Sequence, residues 1–181
     1  MKWIAFYSQT GSEIRNLSNK LGRDPDLIVT NSNKTSIANL PVGKAVYVLP
    51  NKPTLEQYEE LFLYINKWLN DDDLFITLHG YLRIIPREIC ERYTIYNLHP
   101  GLINVYPELR GFNPQEKAYK MKLPMSGCVI HKVSPVVDGG EIIDTITIDI
   151  VDNDLDTIYE KLHDAAFKLW FDFIKDRLEV F

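Results

Sequence analysis

The sequence predicts an α/β domain with a mostly parallel sheet. Short β-rich runs alternate along the chain with longer stretches of helical period, which is typical of that class. The chain has 181 residues, of which 45% are hydrophobic, enough for one compact unit with a buried core. The alternation stops after residue 124, where two strand-like runs are separated only by a turn, and this predicts an antiparallel portion at the end of the sheet.

The elements follow in order from local pattern. Strands are predicted at 2–7, 27–30, 44–49, 74–79 and 94–98, and helices at 12–21, 54–69 and 86–92. In the helix at 54–69, Thr54 is suited to the N-cap with Gln57 three residues later, and its apolar residues recur at spacings of three and four. Two further strands are predicted at 126–133 and 141–150, joined by Ser134–Gly140, before a long amphipathic helix at 154–178. We expect a single domain over residues 1–181.

Composition narrows the class of partner. Twenty basic and 25 acidic residues give a net charge of −5, and the basic ones are scattered, which disfavours a nucleic-acid partner. No apolar run approaches the roughly 20 residues of a membrane span, and Met1–Tyr7 is too short for a signal peptide. Cys90 and Cys128 lack the spacing of a disulfide framework or a zinc site. We therefore expect a cytoplasmic protein that binds a small molecule and does not associate with a membrane.

Ligands of parallel sheets bind beyond the carboxyl ends of the strands, and the loop Ser8–Glu13 is one such place. Its hydroxyl residues and Gly11 lie at the start of a predicted helix, where backbone N–H groups could hold a phosphate. An ordinary capped turn would have the same composition. Glu13 adds a negative charge that counts against a phosphate.

The end of the predicted strand at 94–98 carries a second candidate site. Asn97 and His99 are two residues apart, so their side chains share one face, and Pro100 ends the strand. An amide donor beside a titratable ring can bind a carbonyl oxygen and stabilise developing negative charge. A histidine bonded only to backbone is the alternative interpretation.

A third candidate is the loop containing Asp138, Gly139 and Gly140. The two glycines are typical of a tight turn, and most such loops are turns only. A carboxylate held there could also orient an imidazole, but the sequence alone does not place Asp138 beside His99. His131 is interpreted as structural, and His79 as a candidate for a role near the segment that follows it.

Asn97-x-His99-Pro100, the Asp138-Gly139-Gly140 loop and the segment Gly80–Ile85 together resemble the folate-dependent formyltransferases. Ser126–His131 is similar to the strand that precedes the aspartate loop in that family, so the resemblance covers nearly the whole chain. It implies a Rossmann-like formyltransferase fold with flanking helices, and a formyl donor, 10-formyltetrahydrofolate. It implies no metal.

The resemblance also implies roles for individual residues. Asn97, His99 and Asp138 would be catalytic: the first two would stabilise the oxyanion, while Asp138 would keep the ring protonated and help to remove the amine's proton. The residues that would hold the folate, largely through backbone groups, are Tyr81, Leu82, Arg83, Ile84, Ile85, Val136, Val137, Gly139 and Gly140.

The sequence contains features of two branches of the family, which differ in their acceptor amine. The first loop, with Thr10, Gly11 and Ser12 as acceptor-binding residues, and the stretch 30–34 are most similar to glycinamide ribonucleotide enzymes, although Gln9 and Glu13 depart from their pattern. Arg110-Gly111-Phe112-Asn113-Pro114 is more similar to the methionyl-tRNA and amino-sugar branch, where Arg110 and Asn113 would bind the acceptor.

We expect glycinamide ribonucleotide as the acceptor, with a nucleotide-linked amino sugar or another amine as the alternative. Methionyl-tRNA is disfavoured by the negative charge and because no further domain follows in this sequence. Two alternatives lie outside formyl transfer: a flavodoxin-like FMN carrier, since Phe6–Ser12 resembles a flavodoxin phosphate loop, and a folate-binding protein without catalysis. The sequence does not predict the oligomeric state.

Overall fold

The computed structural model describes residues 1–32, 40, 44–69 and 73–180, so the part of the stretch 30–34 beyond Ser32 lies outside the described residues. The chain divides into two compact units, one of Met1–Ile95 with Lys175–Phe181 and one of Tyr96–Ile174. The single domain expected from the sequence stays a prediction.

The first unit contains a parallel set of strands in the order β3-β2-β1-β4. Its strands are β1 (Lys2–Tyr7), β2 (Leu27–Thr30), β3 (Val46–Val48) and β4 (Leu74–Leu78), and its helices are α1 (Ser12–Leu21), α2 (Leu55–Leu69) and α3 (Arg87–Arg92). Five of the six residues of β1 and all of β2 are buried, as expected for parallel strands covered on both faces.

The capping pattern predicted for α2 is confirmed. The Thr54 backbone N–H donates to Gln57 Oε1 at 2.9 Å, and the Gln57 N–H donates to Thr54 Oγ1 at 3.4 Å. The apolar stripe of this helix is buried at four of its positions, as its spacing predicted, and half-buried at the fifth, Leu69. The four buried residues are Tyr58, Leu61, Phe62 and Ile65.

The second unit contains the antiparallel strands, with β6 between β5 and β7. They are β5 (Ile95–His99, whose first residue belongs to the first unit), β6 (Met125–Lys132) and β7 (Ile142–Asp149). Helix α5 spans Leu155–Leu178, and its residues from Lys175 onward belong to the first unit. The amino-terminal strands are thus parallel and the carboxy-terminal strands antiparallel, as predicted. The register sets Asn97 opposite His131 and His99 opposite Val129.

Two short elements were missed by the sequence analysis: a 3-10 turn at Pro107–Leu109 and a helix, α4, at Pro114–Lys120. The seven-residue α4 buries only Pro114 and Ala118, so its apolar period is too short to be recognised. Asn113 precedes it with a left-handed φ of 53°. No helix among the described residues is long and apolar enough to cross a membrane.

Candidate active site

Asn97 and His99 lie at the end of β5, on the same face of the strand as predicted. His99 is buried, with 5% of its surface exposed, and Asn97 is half-buried. Both side chains belong to the second unit, which also contains every partner described next.

Asp138 is paired with His99. Its Oδ2 lies 3.3 Å from His99 Nδ1 and accepts a hydrogen bond of 2.9 Å from the Gly111 N–H. The loop that carries Asp138 turns tightly enough that a Cβ on Gly140 would lie 1.8 Å from the Lys132 carbonyl oxygen, so glycine is required there. The structure thus places Asp138 beside His99, which the sequence pattern alone did not do.

His131 completes the cluster, although its pattern had suggested a structural role only. Its Nε2 lies 3.2 Å from Asn97 Nδ2 and 3.5 Å from Asp138 Oδ1, while its Nδ1 lies 3.0 Å from the Lys132 carbonyl oxygen. Since a carbonyl only accepts, Nδ1 carries a proton, and in the neutral ring Nε2 accepts a hydrogen bond from Asn97. His131 therefore fixes the orientation of the Asn97 amide and leaves the second N–H of that amide available.

The charges of the cluster are set by burial and by each other. Burial lowers the pKa of His99, and the neighbouring Asp138 charge and the Leu109 carbonyl, which raise it, offset this only in part. Burial alone would raise the pKa of Asp138, but the neighbouring His131 and His99 rings and the hydrogen bond from the Gly111 N–H bring it below its usual value. Asp138 is therefore an ionised carboxylate at neutral pH, and His99 takes up its second proton less readily than an exposed histidine.

Both nitrogens of His99 face oxygen atoms. Nε2 donates to the Leu109 carbonyl at 2.8 Å, and Nδ1 faces Asp138. A proton on Nδ1 would therefore lie between the ring and the carboxylate. Nε2 could donate its hydrogen to a ligand when that hydrogen bond replaces the one to the Leu109 carbonyl.

Replacing His131 with Phe is expected to lower kcat of the formyl transfer expected from the sequence by about 2- to 10-fold, the scale of one neutral hydrogen bond. The ring volume is retained, but Asn97 loses the acceptor that orients its amide. Steady-state kinetics compared with His163→Phe, on the exposed face of α5, measure the effect. Equal kcat values in the two variants would show that Asn97 does not depend on His131.

The predicted folate segment Tyr81–Ile85 belongs to the first unit. The Tyr81 and Tyr58 hydroxyls are 2.7 Å apart, the Leu82 N–H donates to Ser8 Oγ at 2.8 Å, and Arg83 donates to the carbonyl and side-chain oxygens of Asn51. Leu82 and Ile84 are exposed while Ile85 is buried. In the second unit, Val136 and Val137 are likewise exposed, and Gly139 and Gly140 follow Asp138.

The first loop precedes α1 as predicted. Gly11 has a left-handed φ of 67°, and Thr10 Oγ1 lies 2.9 Å from Ser12 Oγ and accepts a weak hydrogen bond of 3.4 Å from the Ser12 N–H. The left-handed φ strains any residue other than glycine at position 11, whereas the Leu40 side chain, whose Cδ2 would lie 2.6 Å from an added Cβ, could move aside.

Arg110 and Asn113, in the second unit, are both exposed. The Arg110 carbonyl accepts a hydrogen bond of 2.7 Å from Lys117 Nζ, and its guanidinium has no ion pair within the described part of the chain. Among the described residues there is also no group of three or more His, Cys, Asp or Glu side chains that could hold a metal ion.

The half-buried amide, the buried imidazole and the half-buried carboxylate of this cluster are groups that can serve in acyl transfer. The formyl transferase family model matches residues 1–174, and the chain belongs to this family. The resemblance and the fold class inferred from the sequence are confirmed.

Two relatives show the range of the family. A phosphoribosylglycinamide formyltransferase of Dictyostelium discoideum is 35% identical over 112 residues, which are 55% of this chain and 53% of that protein. A methionyl-tRNA formyltransferase of Campylobacter jejuni is 32% identical over 103 residues, 57% of this chain and 32% of that protein. The chain thus spans about half the length of the Dictyostelium relative and a third of the other.

Solved structures show the same fold. The phosphoribosylglycinamide formyltransferase of Anaplasma phagocytophilum superposes with a TM-score of 0.79 at 20% identity, covering 97% of this chain and 85% of that one. The Coxiella burnetii enzyme, solved in complex with CHES, gives a TM-score of 0.80 at 17% identity, covering 95% and 84%. At these identities the likeness concerns the fold.

Proposed function

We propose that this protein transfers the formyl group of 10-formyltetrahydrofolate to glycinamide ribonucleotide, a step of purine biosynthesis. The observation that carries the proposal is the cluster of Asn97, His99 and Asp138, with the carboxylate 3.3 Å from the buried ring. The similarity to phosphoribosylglycinamide formyltransferases in sequence and in fold supports the choice of acceptor.

The reaction is a displacement at the formyl carbon. The acceptor amine attacks that carbon, and the carbonyl oxygen becomes an oxyanion that accepts hydrogen bonds from Asn97 Nδ2 and His99 Nε2. The proton lost by the amine passes, directly or through water, to the Asp138–His99 pair. Collapse of the tetrahedral intermediate breaks the bond to the folate nitrogen, which receives a proton and leaves as tetrahydrofolate.

Asp138 and His131 prepare the donors. The hydrogen bond to His131 directs the Asn97 amide, and Asp138 offsets in part the lowering of the His99 pKa by burial. For His99 to reach the oxyanion, its Nε2–H exchanges the Leu109 carbonyl for the substrate oxygen. No metal enters this mechanism.

The resemblance in sequence assigns two segments to the folate, Tyr81–Ile85 in the first unit and the loop with Val136, Val137, Gly139 and Gly140 in the second. The exposed apolar side chains of Leu82 and Ile84, and of Val136 and Val137, suit the aromatic rings of the donor, while backbone groups of the same segments suit its polar edge. Arg83 is already bonded to Asn51, so we assign it to supporting the segment.

The proposal is tested by following conversion of 10-formyltetrahydrofolate to tetrahydrofolate with a panel of amines. We expect turnover with glycinamide ribonucleotide and none with glycine or methionine. A preparation that binds the folate but transfers no formyl group to any amine would support the folate-binding alternative. A yellow preparation that takes up FMN would support the flavodoxin-like alternative, which the family match disfavours.

A nucleotide-linked amino sugar is a second candidate acceptor because Arg110 is exposed and its guanidinium has no ion pair with a described residue. A guanidinium binds phosphate through two parallel hydrogen bonds, a geometry that alanine cannot replace. If the amino sugar is the acceptor, Arg110→Ala should raise its KM by about 10-fold or more, the scale of hydrogen bonds to a charged group. Arg87→Ala, on exposed α3, is the matched control.

Activity with the amino-sugar nucleotide and none with glycinamide ribonucleotide would overturn our choice of acceptor. It would leave the roles proposed for Asn97, His99 and Asp138 unchanged.

A further inference from the structure

Three consecutive residues of the second unit, Leu109, Arg110 and Gly111, form a strap against the pair of His99 and Asp138. The Leu109 carbonyl accepts a hydrogen bond of 2.8 Å from His99 Nε2. The Gly111 N–H donates a hydrogen bond of 2.9 Å to Asp138 Oδ2, the same oxygen that lies 3.3 Å from His99 Nδ1. The strap therefore contacts both members of the pair through its backbone.

The middle residue of the strap is held by Lys117, on α4. Lys117 Nζ donates a hydrogen bond of 2.7 Å to the Arg110 carbonyl. The lysine is half-buried, and it forms no ion pair with any residue that the structure describes. Lys120, on the same helix, is exposed instead and lies 3.6 Å from the Glu116 carboxylate. Within the described chain, the Arg110 carbonyl is therefore the only partner of the Lys117 ammonium.

The Arg110 carbonyl and the Gly111 N–H belong to one peptide unit. A peptide unit is planar, and in the trans form its C=O and N–H point to opposite sides. The ammonium that fixes the direction of the carbonyl therefore also fixes the direction of the N–H. That N–H is the one that donates to Asp138.

Opposite charges lie at the two ends of this peptide. The Lys117 ammonium contacts its oxygen, and the ionised Asp138 carboxylate accepts from its hydrogen. Hydrogen bonds linked in series polarise one another, so the ammonium makes the Gly111 N–H a stronger donor to the carboxylate. Burial lowers the pKa of His99 most, and the charges of His131 and Lys117 lower it less, which is consistent with an ammonium close to the pair.

We propose that Lys117 is a positioning residue for formyl transfer, which orients Asp138 against His99 through the peptide between Arg110 and Gly111. This inference rests on the proposed function, because it concerns the residues that carry out that reaction. Among the described contacts, Lys117 Nζ donates to neither Asp138 nor His99, so its effect passes through the strap.

The first test is Lys117→Met, which keeps an unbranched side chain and removes the ammonium. We expect kcat to fall by about 3- to 10-fold, the scale of one hydrogen bond, with the KM values for folate and ribonucleotide nearly unchanged. Lys117→Arg keeps a charged donor and should restore most of kcat. Lys120→Met, at an exposed position of the same helix, is the matched control and should match the wild type. A rise in KM at unchanged kcat would assign Lys117 to substrate binding and overturn the proposal.

A second test needs no substrate. Amide hydrogen exchange, followed by NMR on the full chain, should become about 3- to 10-fold faster at Gly111 in Lys117→Met, because its hydrogen bond to Asp138 is weakened. The amides of β6, which pairs with β5 and β7, serve as the internal reference and should exchange at the wild-type rate. Unchanged exchange at Gly111, or equal acceleration at Gly111 and in β6, would overturn the proposal.

Combining Lys117→Met with Asp138→Asn shows whether the two residues act together. We expect kcat of the double variant to equal that of Asp138→Asn, since Lys117 acts through the Asp138 carboxylate. Losses that add would overturn the proposal. An active wild type with an equally active Lys117→Met would overturn this inference alone. A wild type that formylates no amine would refute the proposed function, while exchange at Gly111 would still decide whether Lys117 holds the strap.

Discussion

Asn97→Ala and His99→Ala are each expected to lower kcat by about 10²-fold or more, the scale measured for loss of one oxyanion donor. Each removes an N–H that would stabilise the charge on the formyl oxygen, and neither side chain belongs to the segments assigned to the folate. The affinity for the folate should therefore remain close to that of the wild type. Rapid-quench measurement of formyl transfer, with folate binding measured by fluorescence, provides both quantities.

His163→Ala is the control for these two variants, because that histidine is exposed on α5. Its kcat should equal that of the wild type. Near-normal rates in both Asn97→Ala and His99→Ala would mean that the reaction takes place elsewhere. Equal losses of kcat and folate affinity would assign these side chains to binding instead.

Asp138→Asn is expected to lower kcat by about 10²-fold or more, within the range of a positioned acid–base group. The ionised Asp138 raises the pKa of His99 against the effect of burial. Removing that charge should therefore lower the pKa of His99 further, and the pH above which the ring is neutral should move to lower values. An NMR titration of the His99 ring measures this shift, and steady-state kinetics measure the rate.

The matched variant is Asp156→Asn, an exposed carboxylate at the start of α5. It should change neither the titration of His99 nor kcat. The same His99 pKa in wild type and Asp138→Asn would contradict the pairing, and a normal rate would contradict the role of the carboxylate.

Much of the fold was predictable because it depends on local pattern. The capping residues Thr54 and Gln57 and the apolar stripe of α2 report a helix without reference to the rest of the chain. The common face of Asn97 and His99 follows from the period of a strand alone. The short α4 was missed because only two buried residues mark it, whereas β3 was predicted, although at Val46–Val48 it is shorter than the expected 44–49.

The contacts that complete the site depend on pairing between distant segments. Asp138 lies beside His99 because of the path of the loop that follows β6. His131 lies opposite Asn97 because of the register of β5 and β6. No pattern within either strand specifies that register, so the sequence indicated only a structural strand position for His131. Similarly, Glu13 and His79 are 66 positions apart and become partners only in the folded unit.

The most direct test of the central claim follows the formyl carbon itself. The protein is mixed with 10-formyltetrahydrofolate labelled with ¹³C in the formyl group and with glycinamide ribonucleotide, and the label is followed by NMR. We expect the label to move into an N-formyl amide of the ribonucleotide with the wild type, and to do so about 10²-fold more slowly with His99→Ala. Label that remains on the folate, or that appears only as free formate, would contradict the account.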